Sequence, residues 1–440
     1  MKIPSIVKTA GTIYSMDSFR SGFLRLTDFI VVEIMALLAT LSLTGCIEPA
    51  GECGINSNNF TQFSFILYCM FGWEMLLYIE NGGDTMKIID CHYHNRYWFW
   101  EGESYLDAQR NYREAAGLET INYLCAPGIE NGSPNGGAGV NCMAAILKVE
   151  DEAVYAYAGL IYPWSNEPNP HAPEYDLKNQ VKEVMALGFD GIKMMEGKPS
   201  TYVMLPYRID SDYYKDFFAY MEQEQIPLLW HVADPETFWD PDKAPEAAFK
   251  NGWFYGNGKF PSRARIYGEV YTILERYPKL KLILGHCFFL SPYPDEIKRL
   301  LDTYENLCFD LTPAPEIFRD FSANREVWRD IFEKYYHRFM FGTDINSGYD
   351  LEFRKSKVDN VVRFFTTDDE FQAFGGTVRG FAMDEEKCEY ILAKSFTEYM
   401  GGKPKIIDKS ALKQYAERHA KHIPEGETKD MILKYCAENL

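Results

Sequence analysis

From Met86 onward the chain alternates short, nearly continuous apolar runs with longer amphipathic stretches, and it does so eight times. The apolar runs are 87–92 (KIIDCH), 120–125 (TINYLC), 154–161 (VYAYAGLI), 191–195 (GIKMM), 227–232 (PLLWHV), 281–286 (KLILGH), 306–311 (NLCFDL) and 338–343 (RFMFGT). Their length and their content of β-branched and aromatic residues predict strands. The intervening stretches 105–117, 140–150, 175–187, 211–225, 262–277, 293–304 and 315–336 carry apolar residues at helical spacing. Strands that alternate with helices of this length predict βαβ units in a parallel sheet. Strands apolar on both sides predict a sheet covered on both faces. Eight units within about 260 residues predict an α/β fold of the (β/α)8 TIM-barrel type, with a doubly wound sheet as the alternative.

Three segments stand outside that alternation. The glycine-rich stretch 132–139 lacks dinucleotide-binding spacing and reads as a flexible loop. The connection 233–261 is unusually long and carries Phe238, Trp239, Trp253, Phe254 and Tyr255, the composition of a lid or binding loop. Residues 384–440 are helical in pattern, which places a barrel over 86–400 and C-terminal helices, 401–440, on its outside.

Residues 1–85 hold only 12 charged residues and none of the eight histidines. Their apolar stretches, 29–43 and 63–79, each contain a glutamate, Glu33 and Glu74, and are too short for a clean spanning helix. Leu43-Thr44-Gly45-Cys46 matches a lipoprotein cleavage box, which would attach a lipid anchor at Cys46, but Asp28 and Glu33 fit a signal core badly. A membrane anchor is a second reading. The preferred one is a translation mis-start: Gly82-Gly83-Asp84-Thr85 can be encoded with a ribosome-binding GGAGG ahead of Met86, making Met86 the functional start.

Composition adds little beyond exclusions. A formal net charge of −19 argues against nucleic acid or an anionic membrane as the main partner. The ten cysteines include no CxxC pair, and Cys91, Cys125, Cys287 and Cys308 lie in or beside apolar runs, as buried free thiols do. A reducing, cytoplasmic compartment follows as an expectation. The expected partner is a small-molecule substrate, with no membrane for the body of the chain; a homodimer is compatible with it.

The chemistry lies where the apolar runs end. The first ends in His92-Tyr93-His94, and residues two apart in a strand share a face. The fourth run carries Lys193, the fifth ends in His231, the sixth in His286, and Asp344 follows the eighth. Each alone is more often a satisfied polar residue than a ligand. A barrel, however, brings all strand ends to one mouth, and imidazoles with a carboxylate there suit zinc, iron or manganese. Lys193 reads as a carboxylated lysine bridging two metals, as a cation for a substrate carboxylate, or as a structural lysine.

At these residues the chain resembles the amidohydrolase superfamily, specifically the amidohydrolase-related family 2 group. The matching pieces are 89–94 (IDCHYH), 188–193 (GFDGIK), 229–231 (LWH), 284–286 (LGH) and 341–344 (FGTD), with a weaker match at 390–396. The resemblance implies a (β/α)8 barrel and one divalent metal, most often Zn2+, with Mn2+ or Fe2+ as alternatives and a second metal only if Lys193 is carboxylated. It implies His92, His94 and His231 as ligands, Asp344 as fourth ligand or proton carrier, and His286 as the residue that orients or deprotonates water. Arg96 and Arg208 are candidate carboxylate clamps, and Trp98 and Trp239 candidate stacking residues. Members hydrolyse C–N and lactone C–O bonds or decarboxylate aromatic or unsaturated acids. The expected function is therefore hydrolysis of a small cyclic ester, amide or related bond. A carboxy-lyase is the alternative, and a non-catalytic surface lipoprotein the reading from another class.

Overall fold

In the computed structural model of the protein, the described residues are 86–95, 103–128, 136–163, 165–314, 316–423 and 425–440. The readings made for residues 1–85 lie outside them, as do those for Arg96 and Trp98. Eight of the described strands are β1 (Ile89–Asn95), β2 (Thr120–Cys125), β3 (Tyr155–Gly159), β4 (Gly191–Gly197), β5 (Leu228–Val232), β6 (Leu282–Leu284), β7 (Leu307–Asp310) and β8 (Phe339–Met340). Each pairs in parallel with the next. A short β9 (Ile345–Asn346) pairs in parallel with β1.

β8 and β9 form the two ends of the sheet order, yet only residues 341–344 separate them. The amide of Cys91 donates to the carbonyl of Phe341 (3.0 Å), and the amide of Asp344 donates to that of His92 (2.9 Å). The eighth strand is thus one bent segment that meets β7 on one side and β1 on the other, which closes the cylinder. The bend has two visible causes. Asp344 adopts a left-handed backbone, φ 58°. At Gly342 the chain runs so close to β1 that an added Cβ would lie 2.8 Å from the Cβ of His92 and 2.5 Å from Thr312 Oγ1.

Seven of the eight strands, all but β4, contribute to one interior cluster: Ile89, Cys91, Leu124, Tyr157, Leu229, Ile283, Cys308 and Met340, packed with Phe396. β1 shifts register between Asp90 and Tyr93. A bulge of this kind breaks the alternation of faces. It lets Cys91 join the interior layer while the next residue, His92, turns into the mouth.

The surrounding helices bury their apolar stripes on the strands and start where the chain offers side-chain caps. Asp176 caps Leu177–Leu187 through the amide of Asn179, Ser262 caps Arg263–Arg276 through that of Arg265, and Asp350 caps Leu351–Thr366 through that of Phe353. Three local expectations need correction. Residues 136–139 of the glycine-rich stretch belong to the first turn of the helix Gly136–Glu150 rather than to a loop. The single helix expected over 315–336 is two, Ile317–Ala323 and Arg325–Tyr335, broken at Asn324. The hairpin Glu370–Ala373 with Gly376–Arg379 was not anticipated; its two-residue turn places Phe374 and Gly375 at positive φ, 53° and 75°.

The C-terminal helix Lys409–His419 rests on Gly136–Glu150, where Asn141 Nδ2 donates to the Tyr415 hydroxyl (3.0 Å). The buried Asp190 accepts from Lys148 Nζ (2.5 Å) and from the Lys405 amide (2.7 Å), tying the C-terminal segment to the barrel. The described cysteines are all buried free thiols. Among the described residues no helix is long and apolar enough to cross a membrane.

Candidate metal centre

The bulge in β1 and the bend at Asp344 bring three ligand-type groups to one point in the mouth. His92 Nε2 lies 3.2 Å from His94 Nε2. Asp344 Oδ1 lies 2.9 Å from His94 Nε2 and 3.6 Å from His92 Nε2. Both imidazoles are buried, whereas the Asp344 side chain is 39% exposed and faces the opening. The other ring nitrogen of His92, Nδ1, donates to Asp310 Oδ2 at 2.8 Å. A carboxylate held well below its usual range, as Asp310 is, can only accept. The proton of His92 therefore sits on Nδ1, and Nε2 presents a lone pair to the mouth. Burial, aided by the Lys193 ammonium, pushes the His92 pKa down to about 4, so the ring is neutral at physiological pH. Burial opposes the charge of Asp344, but the hydrogen bond from His94 and the nearby His286 hold its carboxyl well below the usual range.

His286 reaches the same point from β6 by a costly route. His286, Cys287, Phe288 and Phe289 all have positive φ, between 49° and 56°. For residues with a Cβ each left-handed position costs roughly 1–2 kcal/mol. The turn is braced by a bond from the His286 amide to Asp310 Oδ1 (2.7 Å), one from the Tyr267 hydroxyl to the Phe288 carbonyl (2.6 Å) and one from Arg263 Nη2 to the Phe289 carbonyl (2.8 Å). Its effect is to lay Phe289 flat on the His286 ring, centroids 5.0 Å apart. His286 is buried, its pKa is driven well below normal by that burial, and neither ring nitrogen has a hydrogen-bond partner among the described residues. Its Nε2 stands 4.0 Å from Asp344 Oδ2. Ligand atoms of His92, His286 and Asp344 all lie within 4.8 Å of one another. Six of the nine non-glycine residues at positive φ among the described residues, Ala233, His286–Phe289 and Asp344, stand just past strands, so backbone strain concentrates at the mouth, as it does at functional sites.

His231, at the end of β5, packs edge-on against His286 with centroids 4.7 Å apart. Its Nε2 faces the carbonyl of Ala233 (3.0 Å) and Asp234 Oδ1 (3.4 Å). Both are acceptors, so Nε2 carries the proton. Burial, with Lys198 nearby, lowers the His231 pKa. Asp234 is buried too, but Lys198 and His231 hold its carboxyl well below the usual range.

The remaining sequence candidates divide. Lys193 Nζ lies 3.3 Å from His92 Nε2, inside the cluster. Arg208 is exposed, and its guanidinium is engaged by Asp210 (2.9 Å) and Glu269 (3.2 Å). Trp239 donates through Nε1 to the Pro261 carbonyl (3.0 Å). It shares with Phe289, Glu316 and Asp320 the wall of a cavity of about 530 Å³. Asp310 and Asp234, which orient the two imidazoles, were not singled out in the sequence. The signal for Asp310 was faint: an acidic residue near the end of an apolar run.

A buried, neutral His92 whose Nε2 lone pair faces His94 and the Asp344 carboxylate fits a divalent cation, and the nitrogens of His286, without a hydrogen-bond partner among the described residues, fit a further polar species there. The Amidohydrolase family model matches residues 89–377, well over half of the chain. Similar solved structures include one described as an amidohydrolase II (13% identity, 72% of this chain and 100% of that one, TM-score 0.43). Others are a probable 2-pyrone-4,6-dicarboxylic acid hydrolase from Acinetobacter baumannii (10%, 72% and 99%, 0.41) and dihydropyrimidinase from Brevibacillus agri (11%, 72% and 72%, 0.40). At TM-scores below 0.5 these likenesses carry no argument of their own. No curated protein matches the chain. On the extent of the family match and the barrel beneath it, the chain belongs to the amidohydrolase family, in its amidohydrolase-related family 2 group, and is an enzyme of the amidohydrolase type.

Proposed function

We propose that the protein is a metal-dependent hydrolase that adds water to a small cyclic ester, amide or related C–O or C–N bond. The observation that carries this reading is the convergence of His92 Nε2, His94 Nε2 and Asp344 Oδ1 within 3.6 Å, beside a buried His286 with no partner on either ring nitrogen among the described residues. His92, His94, His231 and Asp344 would hold one divalent metal, and a set of three nitrogens and one oxygen suits zinc first, manganese or iron next. Such an ion supplies a Lewis acid that polarises a carbonyl and makes water a nucleophile near neutral pH.

The protein's own residues do the rest. Asp310 keeps the proton of His92 on Nδ1, so that Nε2 stays available. His286, neutral because it is buried, takes the proton of the attacking water. Asp344, on the open side of the site with Oδ2 4.0 Å from His286 Nε2, receives that proton and delivers it to the leaving group, which returns both residues to their starting forms. Phe289, flat against His286, fixes the plane of that ring and excludes water from its face. Lys193 is close enough to His92 for a carbamate on its Nζ to enter the same site, which is the one route to a second metal.

Arg208, one candidate clamp for the substrate acid of a carboxy-lyase, is engaged by two carboxylates of its own. Hydrolysis is the reading taken. The test is metal analysis of the purified protein, followed by turnover of lactones, cyclic amides and unsaturated acids in 18O-labelled water. One equivalent of metal, activity lost to a chelator and 18O in the product support the proposal. A metal-free protein with full activity, or CO2 release without 18O incorporation, overturns it.

A further inference from the structure

Asp234 lies at a junction of three elements. It follows β5 by two residues and is buried. Lys198, just past β4, grips both of its oxygens, at 2.8 and 2.9 Å. The Tyr255 hydroxyl, from the long connection after β5, donates to Oδ2 at 2.5 Å. His231 Nε2 stands 3.4 Å from Oδ1. The backbone is bent to serve this arrangement: Ala233 is left-handed, φ 61°, which returns its carbonyl to His231 Nε2 at 3.0 Å.

Tyr255 belongs to a small core of its own. Phe238, Ala248 and Tyr255 are packed with Trp239, Ala244 and Phe260. The ring of Trp253 lies under the Lys198 ammonium, 5.2 Å from it. The long connection is thus a compact unit, and its fastenings to the barrel include the Lys198–Asp234 pair.

We propose that Asp234 is a positioning residue for the metal centre, holding His231 with its proton on Nε2 and its lone pair on Nδ1, and that Tyr255 couples this to the seating of the long connection. The proposal rests on the reading of His231 as a metal ligand. Its physical basis is that a neutral imidazole has one proton and one lone pair, so a fixed acceptor at one nitrogen decides what the other offers. Ala233 alone supplies a neutral acceptor; Asp234 adds a charged one. With the Tyr255 bond gone, Lys198 alone restrains Oδ2, the carboxylate can rotate about that ammonium, and the hold on His231 loosens.

The test uses the full chain labelled with 15N at histidine, as wild type and as D234N, Y255F and H231A. Zinc affinity is read by competition with a chromophoric chelator, and the proton position on His231 by long-range 1H–15N correlation. D234N is expected to weaken zinc binding about 10–100-fold and to mix the two ring tautomers. Y255F is expected to weaken it less, by up to about tenfold, and to increase protease cleavage within 240–260. H231A separates the layers. If H231A binds zinc as wild type does, the ligand reading itself fails. If H231A loses zinc while D234N and Y255F keep wild-type affinity and a pure Nε2–H signal, the positioning role is refuted. Should D234N fail to fold, Y255F decides alone, because it removes one hydroxyl and leaves the Lys198–Asp234 pair in place.

Discussion

Replacing Asp310 by asparagine should damage metal binding more than it damages the fold. Asp310 accepts from His92 Nδ1 (2.8 Å), from the His286 amide (2.7 Å) and from the Thr312 amide (3.2 Å). Two of these donors are backbone amides on Oδ1, so asparagine keeps its oxygen there and turns its NH2 toward His92. His92 must then accept at Nδ1 and carry its proton on Nε2, the nitrogen that faces the mouth. Binding a metal at Nε2 requires the proton to move back to Nδ1, opposite the new NH2, which forfeits a hydrogen bond to a charged group. That loss is about 1.5–3 kcal/mol, or roughly 10–150-fold in Kd at 1.4 kcal/mol per decade. The fold keeps its two backbone bonds in weaker, neutral form, a cost of about 1–2 kcal/mol. The assay is zinc competition at pH 7.5 alongside urea unfolding of the metal-free protein. A D310N protein that folds and binds zinc within twofold of wild type would refute the tautomer argument. So would an affinity loss no larger than the loss of stability.

Two further outcomes follow from the geometry. G342A places a Cβ 2.8 Å from His92 Cβ and 2.5 Å from Thr312 Oγ1, so the eighth strand must move off β1. Metal content should fall well below one equivalent and stability by about 1–3 kcal/mol, as read by metal analysis and denaturant unfolding; a wild-type site in G342A would contradict the close approach. Glu196 is buried, and that burial raises its pKa to about 7 from an ordinary 4.5. The folded state then holds a proton that the unfolded state releases, so this group's contribution to stability falls as pH rises from about 4.5 to about 7. E196Q should flatten that slope and stabilise the protein at pH 8 by about 1–3 kcal/mol; urea midpoints at pH 5, 6, 7 and 8 give the comparison, and unchanged slopes would count against it.

The order and spacing of apolar runs were enough to read the barrel, because a parallel strand covered on both faces must be apolar along its length and a crossover helix must carry a stripe. The same logic made the HxH pair visible and marked His231, His286 and Asp344 as residues at strand ends. Local breaks were less legible. The division at Asn324 and the helical start at residues 136–139 depend on what packs beside them.

The orienting carboxylates were beyond the reach of the sequence for a different reason. Asp310 is 218 residues from His92, and nothing in the chain pairs them until eight strands curl and close. Asp234 is a near neighbour of His231, yet its importance depends on Lys198 from β4 and Tyr255 from the long connection arriving at the same carboxylate. The left-handed run 286–289 has no glycine to announce it and exists because Asp310, Tyr267 and Arg263 hold it. The sequence by itself determined which residue types stand at the strand ends, since period and burial are local properties. Which nitrogen of each imidazole carries a proton, and therefore which can serve as a ligand, was decided only in the tertiary structure, because that choice belongs to the partner across the barrel and not to the histidine.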